Sequence, residues 1–151
     1  MRKWIATSIA VTAACLMAGG AAAQSDEDKI EYRESVFTVI GGNFGPMGKM
    51  VEGKIDYDAE RFARNADRVA YMSQMALEGF QGGPHEGDTH AKDAIWEQWD
   101  QFEQGMQKFQ DASAELAEAT AGGDAALSEV KGEFMDVARA CKNCHDNFKA
   151  D

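Results

Sequence analysis

Residues 95–116 read IWEQWDQFEQGMQKFQDASAEL. Within this stretch Ile95, Trp99, Phe102, Met106, Phe109, Ser113 and Leu116 recur at alternating steps of four and three. That rhythm puts them on one face of an α-helix, the seam by which a bundle helix packs. Asp88 or Thr89 is the expected cap, and Gly122-Gly123 the expected end. A helix with one apolar stripe must bury it against other elements.

Three further stretches supply partners. From about Asp26 to Glu52, Ile30, Arg33, Phe37, Ile40, Phe44, Met47 and Val51 follow the same steps. Pro46 lies inside that run, so a kink or a break into two helices is expected there. After a turn at residues 53–57, Asp58 can cap a second helix whose stripe is Phe62, Ala66, Val69, Ser73, Ala76 and Phe80. Residues 81–87, QGGPHEG, have no period and read as a loop. Asp124 can cap the last helix, with Leu127, Val130, Phe134, Val137, Ala138, Cys141, Cys144, His145 and Phe148 on its buried side. No segment alternates with period two for long enough to make a strand. Four amphipathic helices on short connections predict an all-α, antiparallel up-down-up-down bundle. Met72, Met75, Met106 and Met135 stand at helical spacings and are read as core filler.

The first 23 residues are of another kind. Arg2 and Lys3 precede an apolar run, and Ala21-Ala22-Ala23 ends it. This is the pattern of a secretory signal peptide cleaved before Gln24, too short to span a membrane well. Residues 24–151 then form one domain, and Cys15 leaves with the leader. Export implies the periplasm. The formal charge is −11, and −13 without Arg2 and Lys3. So acidic a chain is poorly suited to nucleic acid or an anionic membrane surface. No Ser/His/Asp set points to a hydrolase or transferase, and no enzymatic activity is expected.

The remaining cysteines lie in Cys141-Lys142-Asn143-Cys144-His145. Two thiols at i and i+3 and an imidazole at i+4 project to one side of a helix. In an exported chain, C-x-x-C-H is the pattern that attaches haem c: the thiols bond the vinyl groups and His145 takes an axial position on the iron. The competing readings are a zinc or redox site in a helical interaction module. A redox pair wants a βαβ setting. Zinc wants a fourth ligand, and His85 and His90 lie near the 81–87 loop without metal-ligand spacing. An i,i+3 disulfide within a helix is geometrically awkward. Asp146 points about 100° away from His145 on a helix and is a poor partner for its ring.

A four-helix pattern with C-x-x-C-H near its end resembles the cytochrome c′ family, the class II c-type cytochromes. Tyr32-Arg33-Glu34-Ser35-Val36-Phe37 is similar to the family's first-helix opening, Asn43-Phe44-Gly45-Pro46-Met47 to its later Phe-Gly segment, and Ala91-Lys92-Asp93-Ala94-Ile95-Trp96 to the start of its third helix. The resemblance covers essentially all of residues 24–151. It implies one covalent haem c per chain, a homodimer, binding of small diatomic gases (nitric oxide, carbon monoxide), electron transfer, and a redox partner protein. Low-spin members resemble this chain but carry Met where Phe37 stands, and a phenyl ring has no lone pair for iron. Five-coordinate, high-spin haem is therefore implied, with low-spin His–Met ligation as the alternative. Arg33, four residues before Phe37, is placed to reach a haem propionate, with a solvated surface role as the rival reading. Glu34 would contribute through its backbone. Lys149 occupies a basic position that is commonly Arg in the family, and Lys cannot stack flat on an imidazole. Trp96, Trp99, Phe102 and Phe109 are expected in the core or against the haem.

Overall fold

The computed structural model describes residues 24–150, so the expected signal peptide lies outside the described residues. Its elements are α1 (Asp26–Val51), α2 (Ala59–Ser73), a 3-10 turn (Glu78–Phe80), the single turn α3 (Ala94–Glu97), α4 (Trp99–Ala119) and α5 (Leu127–Phe148). The four long helices form an antiparallel bundle in which α2 lies between α1 and α4, and α4 between α2 and α5. No strand occurs among the described residues, nor any helix long and apolar enough to cross a membrane.

Caps account for most of the boundaries. Ser25 Oγ accepts from Asp28 N at 3.1 Å, and the Asp28 carboxylate accepts from Ser25 N at 3.0 Å. Asp58 caps α2 by accepting from Arg61 N at 2.9 Å. Asp124 does not cap α5. The helix begins three residues later, where Glu129 reaches back to Ala126 N at 2.7 Å. At Pro46 the helix does not break: α1 continues to Val51. Met47 and Met50, on the turn after the proline, are fully buried. Burying each contributes about 1.5–3 kcal/mol, enough to offset the ~3 kcal/mol cost of an internal proline.

Two sequence expectations fail between α2 and α4. The second helix ends at Ser73, and Phe80 reaches the core from the 3-10 turn. The third helix does not start at Asp88 or Thr89. Thr89 Oγ1 instead accepts from Arg33 Nη2 at 2.6 Å and from Ala91 N at 3.2 Å. Residues 90–92 run beside the end of α5, with Lys92 N donating to Phe148 O at 3.0 Å and Ala150 N to His90 O at 2.7 Å. Gln98, at φ −124° and ψ 43°, then separates α3 from α4. Trp96 holds α3 against the 3-10 turn, its Nε1 donating to Phe80 O at 2.9 Å.

The core is aromatic along the bundle axis. Phe44 stacks on Phe134 at 4.5 Å, Phe62 meets Phe134 at 6.0 Å, and Phe102 meets Phe80 and Phe148 edge-on at 4.8 and 5.3 Å. Met135, expected as filler, is 40% exposed. It follows the buried Phe134 by one residue and so turns about 100° away from the seam.

Candidate functional site

The Phe44–Phe134 stack joins α1 to α5 at one end of the bundle. Toward the other end the two helices enclose a cavity of about 670 Å³, a volume that suits a cofactor-sized ligand. Its walls are mostly apolar. α1 supplies Arg33, Phe37, Gly41 and Phe44, and α4 supplies Phe102, Gly105, Met106 and Phe109. Gly41 and Gly105 contribute no side chain, and a Cβ on either would meet nothing within 4 Å. The cavity also explains the burial pattern of α1. Val36 and Met50 are deeply buried in the helix contacts, while Phe37 and Phe44 are only partly buried because they face the opening.

On the α5 wall, Cys141, Cys144 and His145 all line the cavity, as their spacing requires. Both cysteines are free thiols. Burial, and then the adjacent Cys144, push the Cys141 thiol up to about 11; burial raises Cys144 as well. Thiols held protonated are poor redox nucleophiles, and no metal-binding cluster of His, Cys, Asp and Glu is found among the described residues. His145 opens onto the cavity. Partial burial, then Lys149, lower its pKa, which favours the neutral ring with a lone pair free for a metal. Asp146 turns away and accepts from Lys142 Nζ at 2.5 Å. Lys149, also on the rim, donates to Ala150 O at 3.4 Å.

Arg33 is not a solvated charge. It is 2% exposed. Its Nη2 donates to Thr89 Oγ1 at 2.6 Å, and its Nη1 to His85 Nδ1 at 3.0 Å and Gly79 O at 3.4 Å. The guanidinium lies 5.1 Å from the Phe80 ring centroid. Burial lowers its pKa, but arginine stays charged at any relevant pH. No carboxylate pairs with it among the described residues. A buried cation held only by neutral groups at the edge of a cavity is a site that calls for an anion. Gly79 makes the arrangement possible, since a Cβ there would stand 2.6 Å from Arg33 Cβ. Glu34 lines the same rim and is exposed.

The donor set fits a covalently attached tetrapyrrole carrying acidic side groups: two thiols, an imidazole, apolar walls and one buried cation. The sequence profile of the family described as Cytochrome C′ matches residues 28–149. The chain belongs to the cytochrome c′ family. The cytochrome c′ of Halomonas halodenitrificans is 36% identical over 130 residues, covering 83% of this chain and 98% of that protein. Among solved structures, cytochrome c prime from Shewanella frigidimarina is similar with a TM-score of 0.80 and 40% identity, over 85% of this chain and 98% of that one. A nitric oxide complex of a variant of cytochrome c prime from Alcaligenes xylosoxidans is similar with a TM-score of 0.74 and 32% identity, over 84% and 97% of the two chains. As a cytochrome c′, the chain takes haem c as its covalent cofactor.

Reading the sequence missed three parts of this site. His85, assigned to a loop, is 5% exposed and meets the Trp96 ring edge-on at 5.7 Å. Thr89 is an Arg33 partner rather than a helix cap. Met106 is core, as expected, but also borders the cavity. No local signal marks His85: its neighbours Gly83, Pro84, Glu86 and Gly87 read as turn and surface.

Proposed function

We propose that this cytochrome c′ is a periplasmic, monohaem protein with five-coordinate, high-spin iron that binds small diatomic gases and exchanges electrons with a partner protein. The observation that carries the reading is the pairing of two cavity walls: α5 presents Cys141, Cys144 and His145, and α1 presents Phe37, which has no donor atom. Cys141 and Cys144 would hold the haem covalently, His145 would bind its iron, Arg33 would receive a propionate, and Glu34 would border that contact. The bound haem supplies a site for gas binding and one-electron exchange; the nitric oxide complex of the Alcaligenes relative supports the first role. The chain's own contribution is exclusion. Phe37, edge-on to the buried Phe80 at 6.2 Å, keeps water and bulky ligands out.

Met106, the one methionine among the described residues that lines the cavity, favours the low-spin alternative with His–Met ligation. Electron paramagnetic resonance of the ferric protein separates the two. The expected spectrum is axial and high-spin; a rhombic low-spin spectrum assigns a sixth protein ligand and overturns the five-coordinate reading.

A homodimer formed through α1 and α2 belongs to the same proposal. Two of the exposed large hydrophobic side chains, Val39 at 44% and Tyr71 at 72%, lie on these helices and line one shallow groove with Met72. Gly42 and Gly45 leave open space on α1 where a second helix could approach closely. Sedimentation equilibrium at micromolar concentration is expected to give twice the chain mass. A single-chain mass would sink the dimer.

A further inference from the structure

A guanidinium is donor-only, so whatever faces it must offer a lone pair. His85 Nδ1 lies 3.0 Å from Arg33 Nη1. The ring's proton is thereby confined to Nε2. That nitrogen is buried and has no hydrogen-bond partner among the described residues. His85 is held on its other side by Trp96, whose own ring sits against Gly83, where a Cβ would come within 2.5 Å. The imidazole is thus placed by packing, and Arg33 is placed by the imidazole.

We propose that His85 is the positioning residue for Arg33: its neutral Nδ1, together with Thr89 Oγ1, fixes the guanidinium at the cavity rim, and a second proton on the ring dismisses it. The inference rests on the reading of Arg33 as the propionate partner. The groups around His85 favour the neutral ring. From α1 it faces Lys29 and Arg33, both repelling a proton, and Asp26, which attracts one; from its own loop it faces the Gln81 carbonyl; Trp96 of α3 carries no charge. Asp26 is partly engaged, since its carboxylate accepts from Glu86 N at 3.1 Å. Burial and the two cations outweigh Asp26, so the ring titrates below its ordinary 6.5. A protonated ring would turn an acceptor into a donor against a donor-only neighbour, beside two fixed positive charges. Arg33 must then leave, and the cavity rim loses its cation. Folding carries the same signature. Between pH 6.5 and the lower folded value the unfolded chain binds more protons, so stability falls as pH drops through that window and levels off below it.

The test uses holoprotein in the diamagnetic ferrous–carbonyl form for nitrogen-15 NMR, and spectroelectrochemistry for the reduction potential against pH. The parent is expected to show the Nε2–H tautomer at neutral pH, a His85 midpoint below 6.5, and an inflection in the potential at that midpoint. His85→Gln keeps an amide oxygen that can accept from Arg33 but cannot titrate. It should retain the parent potential at neutral pH and lose the inflection. His85→Phe keeps the packing on Trp96 and removes the acceptor. It too should lose the inflection, but with its neutral-pH potential moved toward that of Arg33→Gln. An Nδ1–H tautomer, or an inflection that persists in both His85 variants, overturns the positioning role alone. An Arg33→Gln potential equal to the parent's at every pH overturns the propionate reading and the inference with it.

Discussion

Alanine at both Cys141 and Cys144 is expected to leave exported protein with no covalent haem. The two thiols are the only cysteines outside the expected leader. They stand one helical turn apart on α5 and line one cavity wall beside His145. Thioether bonds survive denaturation, whereas an axial His bond and apolar contacts do not. A haem stain of denatured protein, with intact mass, therefore reads the covalent link alone. Each single variant should retain one thioether at lower holoprotein yield, and the double variant none. Without its cofactor the cavity is lined by apolar rings and by a buried guanidinium with no counter-charge, so the double variant should also unfold at lower denaturant concentration. Full holoprotein yield with both cysteines replaced would refute the attachment site.

Phe37 should control access and spin state. Its ring belongs to the α1 wall, one turn beyond Arg33, and meets Phe80 edge-on at 6.2 Å. Phe80 is buried and held by the Trp96 bond to its carbonyl, so the ring has a firm backing. On the proposed reading, in which Phe37 faces the iron, an incoming diatomic displaces the phenyl group. That costs the aromatic contact, about 0.5–1.5 kcal/mol, and packing strain of about 1–3 kcal/mol if the wall cannot relax. Phe37→Ala removes these costs. Carbon monoxide should then bind the ferrous protein faster and more tightly, by about tenfold for each 1.4 kcal/mol recovered. The ferric form of that variant should also admit water. Phe37→Met puts a thioether at the same place and should move the ferric spectrum toward six-coordinate, low-spin. Stopped-flow carbon monoxide binding and ferric electron paramagnetic resonance check both. If both variants keep the parent's kinetics and spin state, Phe37 does not face the iron.

What the amino-acid sequence by itself determined is what depends on neighbours three and four residues away. The 95–116 rhythm required a buried helical face, and Phe102, Met106, Phe109, Ser113 and Leu116 are indeed buried along α4. Cys141, Cys144 and His145 share one side of α5 because their spacing allows nothing else. The roles proposed for Phe37 and Arg33 rest on their shared α1 face and on family resemblance. Tertiary structure decided the rest, because the deciding contacts join residues far apart in the chain. Arg33 finds Gly79, His85 and Thr89 at separations of 46, 52 and 56 residues. No local pattern could reveal that it is buried or that a loop histidine would hold it. The late start of the third helix has the same origin: Thr89 can cap a helix or accept from Arg33, and only the assembled bundle selects the second. The cavity exists because α1 and α5 meet at Phe44–Phe134 and stand apart beyond it, a matter of how side-chain volumes fill the space between helices rather than of the period of either one.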